Sequence, residues 1–140
     1  MTDLIRAKAL LAEGDHTIAL CHGDVTHTDT RRGIAPMLEL LAQRIELSGF
    51  SVADRVVGKA AALLFIRAGI TEVYAAVISE AALKVLSDRG IPCEWGSKVE
   101  YIINRTGDGP CPMEHAVREI DDPEEAETVL REKLQRMKTR

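Results

Sequence analysis

The sequence is poor in aromatic residues, with one Trp, two Tyr and two Phe among 140 residues. Proteins that bind single-stranded nucleic acids stack the bases on aromatic side chains, so this scarcity argues against that function. The net charge is −4, and the basic residues are scattered until the C-terminal segment. A nucleic-acid-binding surface would concentrate them. We therefore expect no nucleic-acid partner.

Long apolar runs and paired cysteines are lacking too. No segment reaches the ~20 predominantly apolar residues of a transmembrane helix. The first residues alternate charged and apolar side chains, unlike a signal peptide. Cys21, Cys93 and Cys111 are odd in number and widely spaced, which is typical of reduced thiols. We expect a cytoplasmic protein with no membrane partner, folded as a single domain over residues 1–140.

The densest apolar segment covers residues 51–70 and predicts a buried helix, with apolar residues recurring at helical spacing from Val56 onward. Asp54 suits its N-cap. Arg55 and Lys59 would then be like charges at the positive end of the helix, and Gly58 would weaken its first turn. Alternatively the helix begins at Lys59, and Gly58 lies in a strand-to-helix turn that a ligand can approach.

On either interpretation a bound anion would offset the unfavourable charges at this helix start. We therefore predict ligand-binding residues at Asp54, Arg55, Gly58 and Lys59. The alternative is structural: the two cationic side chains reach solvent, and the glycine allows another helix to pack closely.

The rest of the chain alternates between strand and helix patterns. Two β-rich runs flank Gly23 and Asp24, which predicts a hairpin. A second helix is expected from Pro36 to a stop at residues 48–49. Residues 71–79 form a strand that is apolar on both faces, as in a sheet covered on both sides.

Further predicted elements are a helix capped by Ser79, short strands at 91–94 and 99–103, a loop at 104–110, and helices capped by Cys111 and Asp122. The order of all these elements predicts an α/β fold. We expect a three-layer α/β/α arrangement, in which a mixed sheet carries helices on both faces.

Two familiar motifs are incomplete. Gly58-Lys59 is similar to the end of a P-loop, but Ala53 replaces its first glycine and Ala60 the hydroxyl that binds Mg²⁺. This excludes a P-loop nucleotide triphosphatase. The candidate zinc ligands are His22, His27, Cys111 and His115. They do not form a set of three or four ligands at the spacing that zinc sites usually have. We predict no metal and no cofactor.

Cys111 is the most interesting single residue. Unpaired N–H groups at a helix start favour a thiolate, so Cys111 is a candidate nucleophile, with His115 as the nearest base in the sequence. Glu114 is a candidate acid or base, and the adjoining loop adds Asn104 and Arg105 as ligand-binding candidates. The alternative is a structural Cys111 that only begins a helix.

Four phrases carry a family resemblance: SVADRVVGKAAALLFIRAG, EVYAAVISEAALKVL, YIINRTGDGPCPMEHAV and IDDPEEA. Together they cover most of the chain, which resembles a bacterial and archaeal family, domain of unknown function 1893. The resemblance implies a cytidine-deaminase-like fold. Zinc deaminases carry H-x-E and P-C-x-x-C at successive helix starts. Here segment 57–59 has no His, Cys or Glu, and segment 79–82 has no Cys.

These observations lead to one main expectation. The protein has a deaminase-like fold without zinc ligands, and it binds an anionic, nucleotide-like or phosphorylated small molecule between the central helix start and the 104–114 loop. Three alternatives stay open: a non-catalytic regulatory or scaffolding homodimer, a zinc-free enzyme with Cys111 as nucleophile, and a degenerate but active deaminase.

Overall fold

The computed structural model describes residues 2–103, 107, 109 and 111–138. Within these residues the chain forms, in order, α1 (Asp3–Ala12), β1 (Ile18–His22), β2 (Val25–Asp29), α2 (Ala35–Ala42), β3 (Ser51–Val57), α3 (Lys59–Ala68), β4 (Glu72–Ser79), α4 (Glu80–Asp88), β5 (Cys93–Val99), α5 (Pro112–Ala116) and α6 (Pro123–Lys138).

The five strands form one mixed sheet in the order β2-β1-β3-β4-β5. β1 is antiparallel to β2 and to β3, whereas β3, β4 and β5 are parallel. On one face α1 packs through Ala7 and Leu11 against Ala19 and Ala53. The other face carries the larger core, in which α3 contacts α2, α4 and α6. The predicted three-layer α/β/α fold is confirmed.

The central segment contains both a strand and a helix. Residues 51–57 form β3, which pairs with β1 on one side and β4 on the other, so the prediction of a helix capped by Asp54 is wrong. Those two neighbouring strands lie far away in the sequence, and their hydrogen bonds override the local helical spacing. The alternative, a helix that begins at Lys59 after a turn at Gly58, is confirmed.

Two other boundaries differ from the prediction. α2 ends at Ala42, several residues before the expected stop at 48–49, because Arg44 takes a left-handed backbone conformation with φ 57°. A single strand, Cys93–Val99, replaces the two short strands expected at 91–94 and 99–103. Its pairing with β4 extends from Cys93 to Val99 and so covers the interval between the two expected strands.

Several local signals did predict the structure. The hairpin around Gly23 and Asp24 is confirmed. Ser79 caps α4 by accepting the Ala82 N–H at 3.1 Å, and Asp122 accepts the Glu125 N–H at 2.9 Å at the start of α6. β4, apolar on both faces, lies inside the sheet between β3 and β5. No helix in the described part of the chain is long and apolar enough to span a membrane.

Candidate functional site

The start of α3 already holds an anion, and that anion belongs to the chain. Gly58 is the N-cap residue and has no side chain to accept the free N–H groups of the first turn. The carboxylate of Glu114, from α5, does so instead. Its Oε1 accepts the Lys59 N–H at 2.6 Å, and its Oε2 accepts the Ala60 N–H at 2.8 Å.

This contact explains the glycine at position 58. A Cβ on Gly58 would lie 2.3 Å from Oε1 and 2.7 Å from Oε2 of Glu114, far inside van der Waals contact. The backbone of Gly58 has φ −101° and ψ −177°, which any residue adopts. Position 58 therefore requires a glycine for space and not for its conformational freedom.

Lys59 makes a second contact with the same region. Its side chain is buried, and its Nζ donates to the carbonyl oxygen of Arg118, just after α5, at 3.0 Å. Nζ also lies 3.0 Å from Oδ1 of Asp121, which is exposed. We call the two connections, Glu114 to the α3 amides and Lys59 to the Arg118 carbonyl, the α3–α5 clasp.

The ionisation of Glu114 is perturbed. Burial raises the pKa of its carboxyl group, while the hydrogen bonds from Ala60 and Lys59 and the positive charge of Lys59 act in the opposite direction. The loss of hydration therefore outweighs the gain from two amide donors and one ammonium. Glu114 takes up a proton more readily than an exposed glutamate does.

A cleft of about 500 Å³ lies beside the clasp, where β4 and β5 end and α4 begins. In sheets of this kind, the carboxyl ends of parallel strands are the usual place for ligands. The apolar residues that line the cleft include Ala81, Val85 and Ile102. The cations are Lys59, Lys84, Arg89 and Arg118, and the anions are Asp88, Glu100, Glu114 and Asp121.

Three of the four cationic groups in the cleft already have partners. Lys84 forms an exposed ion pair with Asp88 at 2.8 Å, and Lys59 is part of the clasp. Arg118 places Nη2 3.3 Å from Nδ1 of His115. Arg89 makes no ion pair with any described residue and is exposed. Arg89 is therefore the cation that a ligand reaches most easily.

The predicted site residues divide into two groups. Gly58, Lys59 and Glu114 lie together in the clasp. Arg55 does not join them: its Nε donates to the carbonyl oxygen of His16, before β1, at 2.6 Å. Asp54 belongs to β3 and does not line the cleft. Asn104 and Arg105 lie outside the described residues.

Cys111 is the N-cap residue of α5, as predicted, but its side chain caps nothing. Its backbone N–H donates to the carbonyl oxygen of Ile102 at 3.1 Å. Its thiol makes no hydrogen bond to a described residue, and it does not line the cleft. Its use as a nucleophile stays a prediction. Over residues 2–103, 107, 109 and 111–138, no three His, Cys, Asp or Glu side chains cluster as metal ligands would.

Sequence reasoning missed the cations Lys84, Arg89 and Arg118. One signal was present: Lys84 and Asp88 are four residues apart on a helix that follows a buried strand. The carboxyl end of such a strand is where polar side chains meet a ligand.

Fold and site together define an α/β protein with a cleft at the carboxyl edge of its parallel strands. The family described as TM1506, domain of unknown function (DUF1893), matches residues 6–134, and the chain belongs to this family, as predicted. A crystal structure of a DUF1893 family protein, TM1506 from Thermotoga maritima, has a TM-score of 0.83 and 29% sequence identity. The match covers 95% of this chain and 91% of that chain. A comparison with curated proteins gave no match.

Proposed function

We propose that this protein binds a small anionic ligand, nucleotide-like or phosphorylated, in the cleft beside the α3–α5 clasp. The observation that carries the proposal is the position of Lys84, Arg89 and Arg118 around an apolar wall at the carboxyl edge of the sheet. Such a combination suits a ligand with one charged and one apolar part. The volume of the cleft, about 500 Å³, falls within the common range for small-molecule sites.

The ligand's charge would meet side chains and not the amides of α3. Glu114 occupies the Lys59 and Ala60 N–H groups, so these two donors are not available to a second anion. The Lys84–Asp88 pair is exposed, and exposed pairs contribute only about 0–1 kcal/mol. An incoming phosphate can therefore recruit Lys84 at little cost.

We favour binding over zinc-dependent deamination because of the residues present. If the fold is deaminase-like, segments 57–59 and 79–82, at the starts of α3 and α4, occupy the places of the two zinc motifs. Neither segment contains the His or Cys donors that would hold the metal. Glu114 comes from α5, and its two oxygens are engaged by backbone amides, so it acts as a structural carboxylate in this proposal.

A thermal-shift screen of nucleotides and phosphorylated metabolites tests the proposal. A ligand at a hundred times its Kd adds about 2.7 kcal/mol, which raises the Tm of a domain this size by roughly 8 °C. We expect Arg89→Ala to remove most of that shift. Arg32→Ala, an exposed arginine outside the cleft, is the matched control and should respond like wild type.

Cys111→Ser distinguishes ligand binding in the cleft from the alternative of a zinc-free enzyme with Cys111 as its nucleophile. Because Cys111 does not line the cleft, the substitution should leave the ligand-induced shift unchanged. If Arg89→Ala responds like wild type, the cleft is the wrong place for the ligand. If no compound shifts the Tm of the wild-type protein, the non-catalytic regulatory or scaffolding dimer becomes the better interpretation.

A further inference from the structure

A second depression, of about 610 Å³, lies away from the cleft and shares no residue with it. We call it the arginine basin; its lining residues are Leu41, Ala42, Arg44, Arg67, Glu127 and Arg131. Three guanidinium groups and one carboxylate give these side chains a net charge of +2. The basin joins the end of α2, the last turn of α3 and the middle of α6.

Glu127 holds two of the three arginines in place. Its Oε1 accepts from Nε of Arg67 at 2.9 Å, and its Oε2 accepts from Nη2 of Arg131. Nη1 of Arg131 also lies 3.5 Å from the Leu38 carbonyl oxygen. Both Nη atoms of Arg67 and the whole guanidinium of Arg44 lack hydrogen bonds to the described residues. These donors are available to a ligand.

The backbone of Arg44 points to a role for its side chain. Arg44 follows the end of α2 with φ 57° and is the single non-glycine residue with positive φ in the described ranges. Its N–H donates to the Leu41 carbonyl and the Ile45 N–H to the Leu40 carbonyl, each in the pattern that ends many helices. Glycine takes this position without steric cost, and arginine does not.

The helix ends explain only part of the cluster. Cations are generally favourable at helix C-termini, which accounts for Arg67 in the last turn of α3. A cation anywhere in the last turn of α2 would serve that purpose with relaxed backbone geometry. Arg44 instead stands at a left-handed position, and its side chain lines the basin, where helix-end electrostatics alone does not require an arginine.

We propose that the arginine basin binds a compact diphosphate group, with Arg44 and Arg67 as its main donors. The planar guanidinium donates two parallel hydrogen bonds to phosphate oxygens, which makes arginine the preferred residue for such groups. Glu127, and Glu124 and Asp122 at longer range, oppose the positive charge around Arg67. A diphosphate that spans Arg44 and Arg67 pairs with both guanidinium groups, whereas a smaller anion pairs with one, so the diphosphate can overcome this repulsion. This site is independent of the cleft and of the function proposed for it.

Isothermal titration with inorganic pyrophosphate tests the proposal, with sulfate at equal ionic strength as the control anion. Arg44→Gly removes the guanidinium and suits the left-handed backbone, so the variant should keep or raise the wild-type Tm. We expect its Kd for pyrophosphate to rise at least tenfold. Arg44→Lys keeps the charge but loses the two parallel donors, and should give an intermediate Kd.

Arg32→Ala, which changes an exposed arginine that lines neither the basin nor the cleft, should bind pyrophosphate like wild type. Adenosine diphosphate tests the source of the group: equal affinity assigns the site to the diphosphate itself, and tighter binding assigns it to a nucleotide. The proposal is overturned if Arg44→Gly binds pyrophosphate as wild type does, if sulfate binds equally well, or if wild type does not bind at millimolar concentrations.

Discussion

At the scale of single residues, Gly58 and Glu114 fix each other. The glycine leaves the space that the carboxylate occupies, and the carboxylate satisfies the two amides that the glycine cannot cap. Both residues are therefore needed for this contact. A side chain at 58 must displace Glu114, and loss of Glu114 leaves two partly buried N–H groups without a partner.

We predict that Gly58→Ala lowers the free energy of unfolding by about 2 kcal/mol, since the new methyl group pushes Glu114 off its amides. Urea denaturation measures the change. In a Glu114→Ala background the space is free, and the same substitution should cost much less. A double-mutant cycle should therefore give a coupling of at least about 1 kcal/mol. An additive cycle would show that Glu114 does not impose the glycine.

The same residues also show what could and could not be predicted from the sequence. Gly58 and Lys59 could be selected from the sequence because a glycine and a cation are unfavourable in the first turn of a helix, and Glu114 because it lies close to Cys111. Their partnership could not, because 55 residues separate Lys59 from Glu114. The end of α2 was missed for a related reason: Arg44 has the conformation in which a glycine would have marked the stop.

At the scale of elements, the clasp determines how α5 is held. α5 has five residues, Pro112–Ala116, and none of them is buried. A helix this short has little stability of its own. Its connections to α3, through Glu114 in its middle and through the Arg118 carbonyl just past its end, therefore help to hold it in place, together with its contacts to α6. Glu114 places a negative charge at the N-terminus of α3, and Lys59 places a positive charge just past the C-terminus of α5. The helix dipole favours both arrangements.

Lys59→Met should loosen α5 without removing the apolar stem that packs at position 59. The lost hydrogen bond to the Arg118 carbonyl should cost about 1 kcal/mol, which corresponds to about a fivefold faster amide exchange in α5. Hydrogen–deuterium exchange measures this directly. Lys84→Met, which breaks only an exposed pair, is the control and should change exchange in α5 very little. Equal exchange in wild type and Lys59→Met would contradict the clasp.

Local sequence signals predicted whether a segment is a helix or a strand only where pairing with a distant segment did not decide it. α4 and α6 carry their own caps at Ser79 and Asp122, so their starts could be predicted. β3 has an apolar composition that suits either a helix or a strand. Its identity comes from hydrogen bonds to β1 and β4, which a local pattern does not contain. The contribution of α4 to the cleft, through Lys84 and Arg89, was missed because the cleft forms only where separate strand ends meet.

At the scale of the whole molecule, the central sheet contains a titratable group. Asp54 lies in β3 between Ile18 of β1 and Ala75 of β4. Burial raises the pKa of Asp54 from its ordinary 3.8 to about 7, although the N–H groups of Val56 and Arg55 favour the charged form. The folded protein therefore binds this proton more tightly than the unfolded chain does.

The sign of the pH dependence follows from linkage. A raised pKa in the folded state stabilises the fold fully below the unfolded value, and the contribution is lost as pH rises towards the folded value. For Asp54 that window runs from about pH 3.8 to about 7. Glu114, whose pKa is also raised, acts in the same direction. Asp29 and Glu127, whose pKa values are lowered, act in the opposite direction.

Asp54→Asn isolates the contribution of this one group, because asparagine resembles the protonated acid at every pH. We expect the stability of wild type relative to Asp54→Asn to fall between pH 4 and 7.5, by no more than about 4 kcal/mol. Urea midpoints at a series of pH values measure it. A difference between the two proteins that stays constant over this range would show that Asp54 does not titrate with a raised pKa.

The clasp also has a consequence for the order of events during synthesis. Glu114 follows Lys59 by 55 residues, so β4, α4 and β5 leave the ribosome before it does. Until then the first turn of α3 has no carboxylate on its amides. The nascent chain can assemble its sheet early, but α3 acquires its final N-terminal contact only after Glu114 has been translated.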